Sequence, residues 1–259
     1  MISLFASAAR PKFWMRMYDS LSQNKVPFEI CFVGPVRPEF TLPSNFHYEH
    51  SDCKPCQCYE AAARMCSGTL IGWTADDADY NEPSLDCPNA LDIIWNAYRE
   101  SDKKTILAQR TIEDGADISD RHHFFHGMPT TPMMAPLGFI NREWYMSLGG
   151  YDRNFICGQA ENDIVMRAVA DGGQVKFVPD SKIYIHHGEC HGEYNFRDGY
   201  NSDREFLENC WIEEGYGTYE THMPFTLATH RLITFHGFSD ENLLSENQGP
   251  AGKWEYVNT

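Results

Sequence analysis

The sequence is short of positive charge: 21 lysines and arginines stand against 37 aspartates and glutamates, a formal net charge of −16 over 259 residues. That balance excludes nonspecific binding to nucleic acid or to an anionic membrane surface, where basic side chains supply the attraction. No apolar stretch is long enough to span a bilayer, and Met1-Ile2-Ser3-Leu4-Phe5-Ala6 has neither the basic start nor the long apolar run of a signal peptide. A soluble, cytoplasmic protein is expected. The nine cysteines, an odd number scattered through strand-like and helix-like segments, fit a reducing compartment better than a disulfide framework. Cys53-Lys54-Pro55-Cys56-Gln57-Cys58 has no second clean pair downstream. Buried or loop thiols are the default there, and a zinc-stabilised binding module on Cys53, Cys56 and Cys58 is the non-enzymatic alternative. The chain also lacks a Gly-x-Gly-x-x-Gly loop, and Gly249-Pro250-Ala251-Gly252-Lys253-Trp254 lacks the spacing of a phosphate loop, so it reads as a turn.

What is present is enough apolar surface for a core, 42% of residues with 14% aromatic. It also has one stretch around which the rest is organised. Gly68-Thr69-Leu70-Ile71-Gly72-Trp73 reads as a buried strand, and it runs into Thr74-Ala75-Asp76-Asp77-Ala78-Asp79-Tyr80. Carboxylates crowded at the end of a buried strand oppose one another's ionisation, so a positive partner is expected. Oxygen ligands favour a hard divalent cation, Mg²⁺ or Mn²⁺, whose shell substrate phosphates complete. In extended backbone Asp77 and Asp79 point to one side and Asp76 to the other.

Strand and helix patterns alternate. Ile2 to Ala6 is a strand, followed by a helix opened by Pro11 with Trp14, Met17, Tyr18 and Leu21 on its buried face. Phe28, Ile30 and Phe32 alternate in a second strand ending at Gly34-Pro35, and Phe46 to His50 forms a third. Tyr59, Ala62, Ala63 and Cys66 mark a second helix, and Leu91, Ile94, Trp95 and Tyr98 a third, before a strand at Thr105 to Gln109. This order indicates a largely parallel sheet. Arg121-His122-His123-Phe124-Phe125-His126 reads as a substrate loop in preference to a metal tract. Glu161-Asn162-Asp163 opens a helix with Ile164, Val165, Ala168 and Val169 on its apolar face and Gly172-Gly173 at its end. Lys182-Ile183-Tyr184-Ile185 is a late strand ending in His186-His187.

Three ordered segments resemble those of GT-A fold glycosyltransferases, particularly the broad family 2 type. Asp77-Ala78-Asp79 is similar to that family's DxD motif. Gly138 to Asp152, with Arg142, Trp144 and Leu148-Gly149-Gly150-Tyr151-Asp152, is similar to its basic, aromatic and Leu-Gly-Gly-Tyr-Asp segment. Glu161 to Arg167 is similar to its acidic helix start. The resemblance covers roughly residues 1–190. It implies an α/β, GT-A (Rossmann-like) fold: a mostly parallel central sheet flanked by helices, residues 1–191; the remaining 192–259, outside the resemblance, are expected to form a C-terminal helix and loop extension packing on it.

The resemblance further implies a metal-dependent, inverting transfer of a sugar from a nucleotide-diphosphate donor to an acceptor hydroxyl, on a glycan or another acceptor. Asp77 and Asp79 would hold Mn²⁺ or Mg²⁺. His186 or His187 would approach the metal, with His191 a third possibility. Arg10, Lys54, Asp76 and Asp77 form the expected donor-binding set. Glu161 stands where the family carries its base, Ala160 replaces the acid before it, and Asp163 is the second choice or a helix-start acid. The chain departs from the pattern at Gly34-Pro35, where many relatives carry an acid that contacts the nucleobase. A metal-dependent nucleotidyltransferase is the alternative enzyme class. The aromatic tail, with Trp211, Tyr216, Tyr219 and Trp254, is expected to fold over the donor site or shape the acceptor groove.

Overall fold

The computed structural model describes residues 1–119, 134–189, 197–211, 234–250 and 252. The histidine-rich tract at 121–126, His191 and the aromatics Tyr216, Tyr219 and Trp254 lie outside these residues. The first half alternates as its periodicity requires: β1 (Ile2–Ser7), α1 (Pro11–Ser20), β2 (Phe28–Gly34), β3 (Phe46–His50), α2 (Pro55–Met65), β4 (Leu70–Trp73), a two-residue β5 (Ala78–Asp79) and α3 (Ala90–Arg99). There follow β6 (Thr105–Glu113), β7 (Ala116–Asp117), β8 (Gly138–Asn141), α4 (Arg142–Ser147), α5 (Ala160–Ala170), β9 (Gln174–Ile185) and α6 (Arg197–Trp211).

The strands form one sheet in the order β3-β2-β1-β4-β8-β6-β9-β5, with β7 hairpinned onto β6. β3, β2, β1 and β4 run parallel to one another, as do β6 and β9, whereas β8 is antiparallel to both β4 and β6, β5 to β9, and β7 to β6. Alternate residues of β1 feed two apolar layers. Leu4 and Ala6 pack with Trp14, Met17, Leu91 and Ile94 from α1 and α3, while Phe5 packs with residues of α2, α4, α5 and α6. This is the mostly parallel, helix-flanked α/β sheet expected. β9 is longer than its Lys182-to-Ile185 reading, because its first half alternates exposed polar and half-buried residues and lacks a continuous apolar run. A bulge between Gln109 and Arg110 shifts its register on β6 from Gln109↔Val178 to Arg110↔Lys182.

Two features aim the chain at one end of the sheet. β5 pairs with the end of β9 (Ala78↔Ile185), so His186 and His187 emerge beside the aspartate cluster. In the C-terminal region, Trp211 of α6 is 1% exposed within the core, and residues 243–250 run along the start of α2. Gln57 Nε2 donates to the Leu243 and Glu246 carbonyls there, at 2.7 Å each. The cysteines Cys53, Cys56, Cys58 and Cys66 are buried free thiols. Cys58 Sγ donates to its neighbour's carbonyl at Cys53, and no group of three His, Cys, Asp or Glu side chains among the described residues is placed to hold a metal. The zinc-module alternative thus finds no site among the described residues, where these thiols pack as small apolar groups in the core.

Candidate active site

The loop after β1 is built by one aspartate. Ala9 and Arg10 each donate a backbone N–H to Asp76 Oδ2 at 2.8 Å, and Arg10 Nε donates to Asp76 Oδ1 at 2.8 Å. The same guanidinium reaches Asp77 Oδ2 through Nη1 at 3.0 Å. Asp76 and Asp77 lie in a turn, not in extended backbone, and therefore share Arg10 instead of pointing to opposite sides as strand geometry predicts. Gly34 explains the missing acid after β2. A Cβ there would overlap the carbonyl of Ala8, so only glycine lets the β1 loop close over the end of β2.

Asp77 is fully buried, and its second cationic neighbour is His187, with Nδ1 at 3.3 Å from Oδ2. Burial pushes the Asp77 carboxyl up, but the hydrogen bond from His187 and the Arg10 charge outweigh it and hold it below the usual carboxylate range. His187 Nε2 lies 2.8 Å from Glu113 Oε1, and these two carboxylates, Asp77 first, push the imidazole up to about 10. Asp79 lies apart from that trio. Its Oδ1 accepts the Asn81 amide at 2.9 Å and its Oδ2 is 3.9 Å from His186 Nε2. Of the adjacent histidines, His187 thus faces Asp77 and His186 faces Asp79. The carboxylate oxygens of Asp77 suit Mg²⁺ or Mn²⁺, and His187, here cationic between Asp77 and Glu113, would join them only after giving up a proton to the incoming ion. Two protein ligands leave room for phosphate oxygens, as such ions require.

The opposite wall is the start of α5. Gln159, just before the helix, is held at φ 64°, a left-handed conformation uncommon for a side-chain-bearing residue. Glu161 follows, partly exposed, and loss of water pushes its carboxyl up to about 7, with the nearby Asp203 charge adding to the effect. Asp163 is different: it is fully buried, accepts Arg167 Nε at 2.9 Å on one oxygen and Trp211 Nε1 at 2.9 Å on the other. The rest of the Arg167 guanidinium donates to the Leu148 and Gly150 carbonyls. The Leu-Gly-Gly-Tyr-Asp turn is therefore the acceptor of that arginine. Its glycines are required at φ 88° and 71°, and Gly150 also backs directly onto the Glu60 carboxylate.

Tyr59 connects the two walls. Its hydroxyl donates to the Thr74 carbonyl at 2.8 Å, and the charges of Glu161, Asp76 and Asp77 all add to burial in raising its pKa. Lys54 does not join them among the described contacts. It is fully buried, its Nζ donates to the carbonyls of Arg153 and Pro250, and burial lowers it to about 8. Its ammonium is thus engaged by carbonyls of the chain, away from the Asp76 and Asp77 turn where the sequence places the donor. Glu113, Asp203 and the placement of Tyr59 were not legible in the sequence. Tyr59 fits a buried helix stripe, and Glu113 and Asp203 sit in unremarkable acidic stretches.

No family model matches the sequence, and no curated protein matches it. Solved structures do match the fold. The crystal structure of GalNAc-T7 with UDP, GalNAc and Mn²⁺ aligns at a TM-score of 0.52 and 14% identity, over 71% of this chain and 43% of that one. S. aureus TarS aligns at 0.58 and 12%, over 82% of this chain and 40% of that one. The TarS 1–349 structure in complex with UDP aligns at 0.55 and 11%, over 82% and 72%. This chain thus spans less than half of the GalNAc-T7 and full TarS chains it matches. The likeness is one of fold, the GT-A fold of glycosyltransferases.

Proposed function

We propose that the chain is a metal-dependent, inverting glycosyltransferase that moves a sugar from a nucleoside diphosphate donor to an acceptor hydroxyl. The observation that carries this reading is the pairing of walls across Tyr59: an acidic turn with cations gathered on it, and the Glu161 carboxyl at the start of α5, pushed up to about 7 by burial. A base poised near neutral pH is what deprotonation of a hydroxyl during attack requires. The fold shared with GalNAc-T7 and TarS, whose structures hold UDP, supports the same reading and makes UDP-sugars the first donors to test.

In this scheme Asp77 would hold Mn²⁺ or Mg²⁺, joined by His187 in its neutral form, with Asp79 and His186 beside them. When bound, the ion offsets charge building on the departing diphosphate. Arg10, fixed by Asp76, orients its guanidinium toward the same anion while preserving the loop over the nucleotide. Glu161 accepts the proton of the acceptor hydroxyl as its oxygen attacks the anomeric carbon. Asp163 keeps the start of α5 in place through Arg167 and Trp211. Residues 1–191 form the catalytic unit, completed by the extension from 192 onward. The odd number of cysteines, scattered through the chain, is the support for a cytoplasmic setting.

A thermal-shift panel of UDP-, GDP-, CDP- and dTDP-sugars with and without Mn²⁺, followed by product analysis, tests the proposal. One nucleotide should stabilise the protein in a metal-dependent way and release free nucleoside diphosphate. Release of pyrophosphate would instead establish the nucleotidyltransferase reading.

A further inference from the structure

Helix α6 grips the chain on both sides of Glu161. Upstream, the Asp203 carboxylate accepts three consecutive backbone amides, Ile156 at 2.8 Å, Cys157 at 2.7 Å and Gly158 at 2.9 Å. Downstream, Trp211 Nε1 donates to Asp163 Oδ1 at 2.9 Å. These two grips are eight residues apart on α6, roughly 12 Å along its axis. Phe206 between them packs edge-on against Phe155 at 4.9 Å. We propose that Asp203 is a positioning residue of the active site: by holding the 156–158 turn it sets where Glu161 enters the site. The inference rests on the reading of Glu161 as the base.

A turn that only needed capping could be served by a neutral acceptor. Asp203 is 1% exposed, forms no ion pair among the described residues, and sits where its charge acts on Glu161. Burial raises its own pKa as well, against the three amides. Two like charges that act on one another while desolvated reduce stability, an arrangement found where a titration is being tuned. The other titratable groups in the field of Glu161 are Cys56 and Tyr59 of α2 and Tyr151 and Cys157 of the preceding loop, all neutral near pH 7. None of these four carries a positive charge; Asp203 is the charged side chain that acts on Glu161, and the buried Lys54 ammonium acts on Asp203 in turn.

The test compares the full chain with Asp203→Asn, Asp203→Ala and Glu161→Gln. The Glu161 carboxyl is followed by ¹³C NMR, assigned by its loss in Glu161→Gln, alongside kcat and donor KM against pH. Asp203→Asn should lower the Glu161 midpoint by about one pH unit or more, because a like charge is removed. Its kcat should fall about tenfold or more with donor KM within about twofold, since misplacing a reacting group affects the chemical step. If Asp203→Ala does not fold, Asp203→Asn decides. An unchanged midpoint and kcat, even with a lower melting temperature, would reduce Asp203 to a plain cap and overturn the proposal. Full activity in Glu161→Gln would overturn it by a separate route, through the base assignment, whatever the NMR midpoint does.

Discussion

Asp76 binds Arg10 both through its backbone and through its side chain: the amide reaches Oδ2 at 2.8 Å while Nε reaches Oδ1 at 2.8 Å. With the Ala9 amide on the same oxygen, one 2%-exposed carboxylate at the end of β4 shapes the loop that follows β1. That loop and the acidic turn are thus one structural unit, although 66 residues separate Arg10 from Asp76.

Asp76→Ala should therefore loosen the loop as well as weaken nucleotide binding. Removing the buried partner of an arginine and two amides is expected to cost about 3 kcal/mol, discounted for the partial exposure of Arg10. That corresponds to a fall in melting temperature of roughly 5–10 °C. A fall below about 1 °C in a thermal melt would show that Asp76 does not hold the loop after β1.

Gly34→Ala places a methyl group on the Ala8 carbonyl, a backbone atom that cannot swing aside. We expect a loss of about 2 kcal/mol or more in urea unfolding, with nucleotide affinity falling in parallel because the β1 loop must move. Wild-type stability in this variant would show that the loop tolerates displacement.

Glu161→Gln should reduce kcat by about 10²-fold or more, with wild-type kcat/KM falling on the acid side around pH 7. The stability effect has the opposite sign. The folded carboxyl titrates at about 7, above its ordinary 4.5, so its charged form is disfavoured by folding and subtracts stability above pH 7. Glu161→Gln should be more stable than wild type at pH 8 by on the order of 1–3 kcal/mol, the difference vanishing as pH falls from 7 through 4.5. Chemical denaturation at both pH values checks this.

Asp163→Asn should behave otherwise. With its ion pair to the 2%-exposed Arg167 broken, it is expected to lose about 3 kcal/mol of stability at both pH values. A folded, fully stable Asp163→Asn enzyme with no activity would move the base assignment from Glu161 to Asp163.

Asp77→Asn and His187→Ala should each remove the Mn²⁺-dependent part of UDP binding, read by calorimetry as an affinity loss of about tenfold or more. His186→Ala should do so less, because His186 faces Asp79 and not Asp77. Equal effects of the two histidine variants would count against the Asp77 and His187 pairing.

The alternating apolar periods of β1, α1, β2 and α2, the run of β4 and the acidic turn after it determined the sheet and the end at which polar groups collect, since local pattern dictates which faces must be buried. The helix α5 was readable from Glu161 to Gly173 for the same reason, although residues 163–168 are all buried and blur its stripe. Contacts between distant segments left no such trace. Only the tertiary structure turned Asp76 back onto Arg10, set His187 and not His186 over Asp77, drew Lys54 into a cage of carbonyls, and brought Asp203 to the turn before Glu161. Those choices depend on how β5 pairs with β9 and how α6 packs on α5, long-range geometry that a spacing of residue types along one chain does not encode.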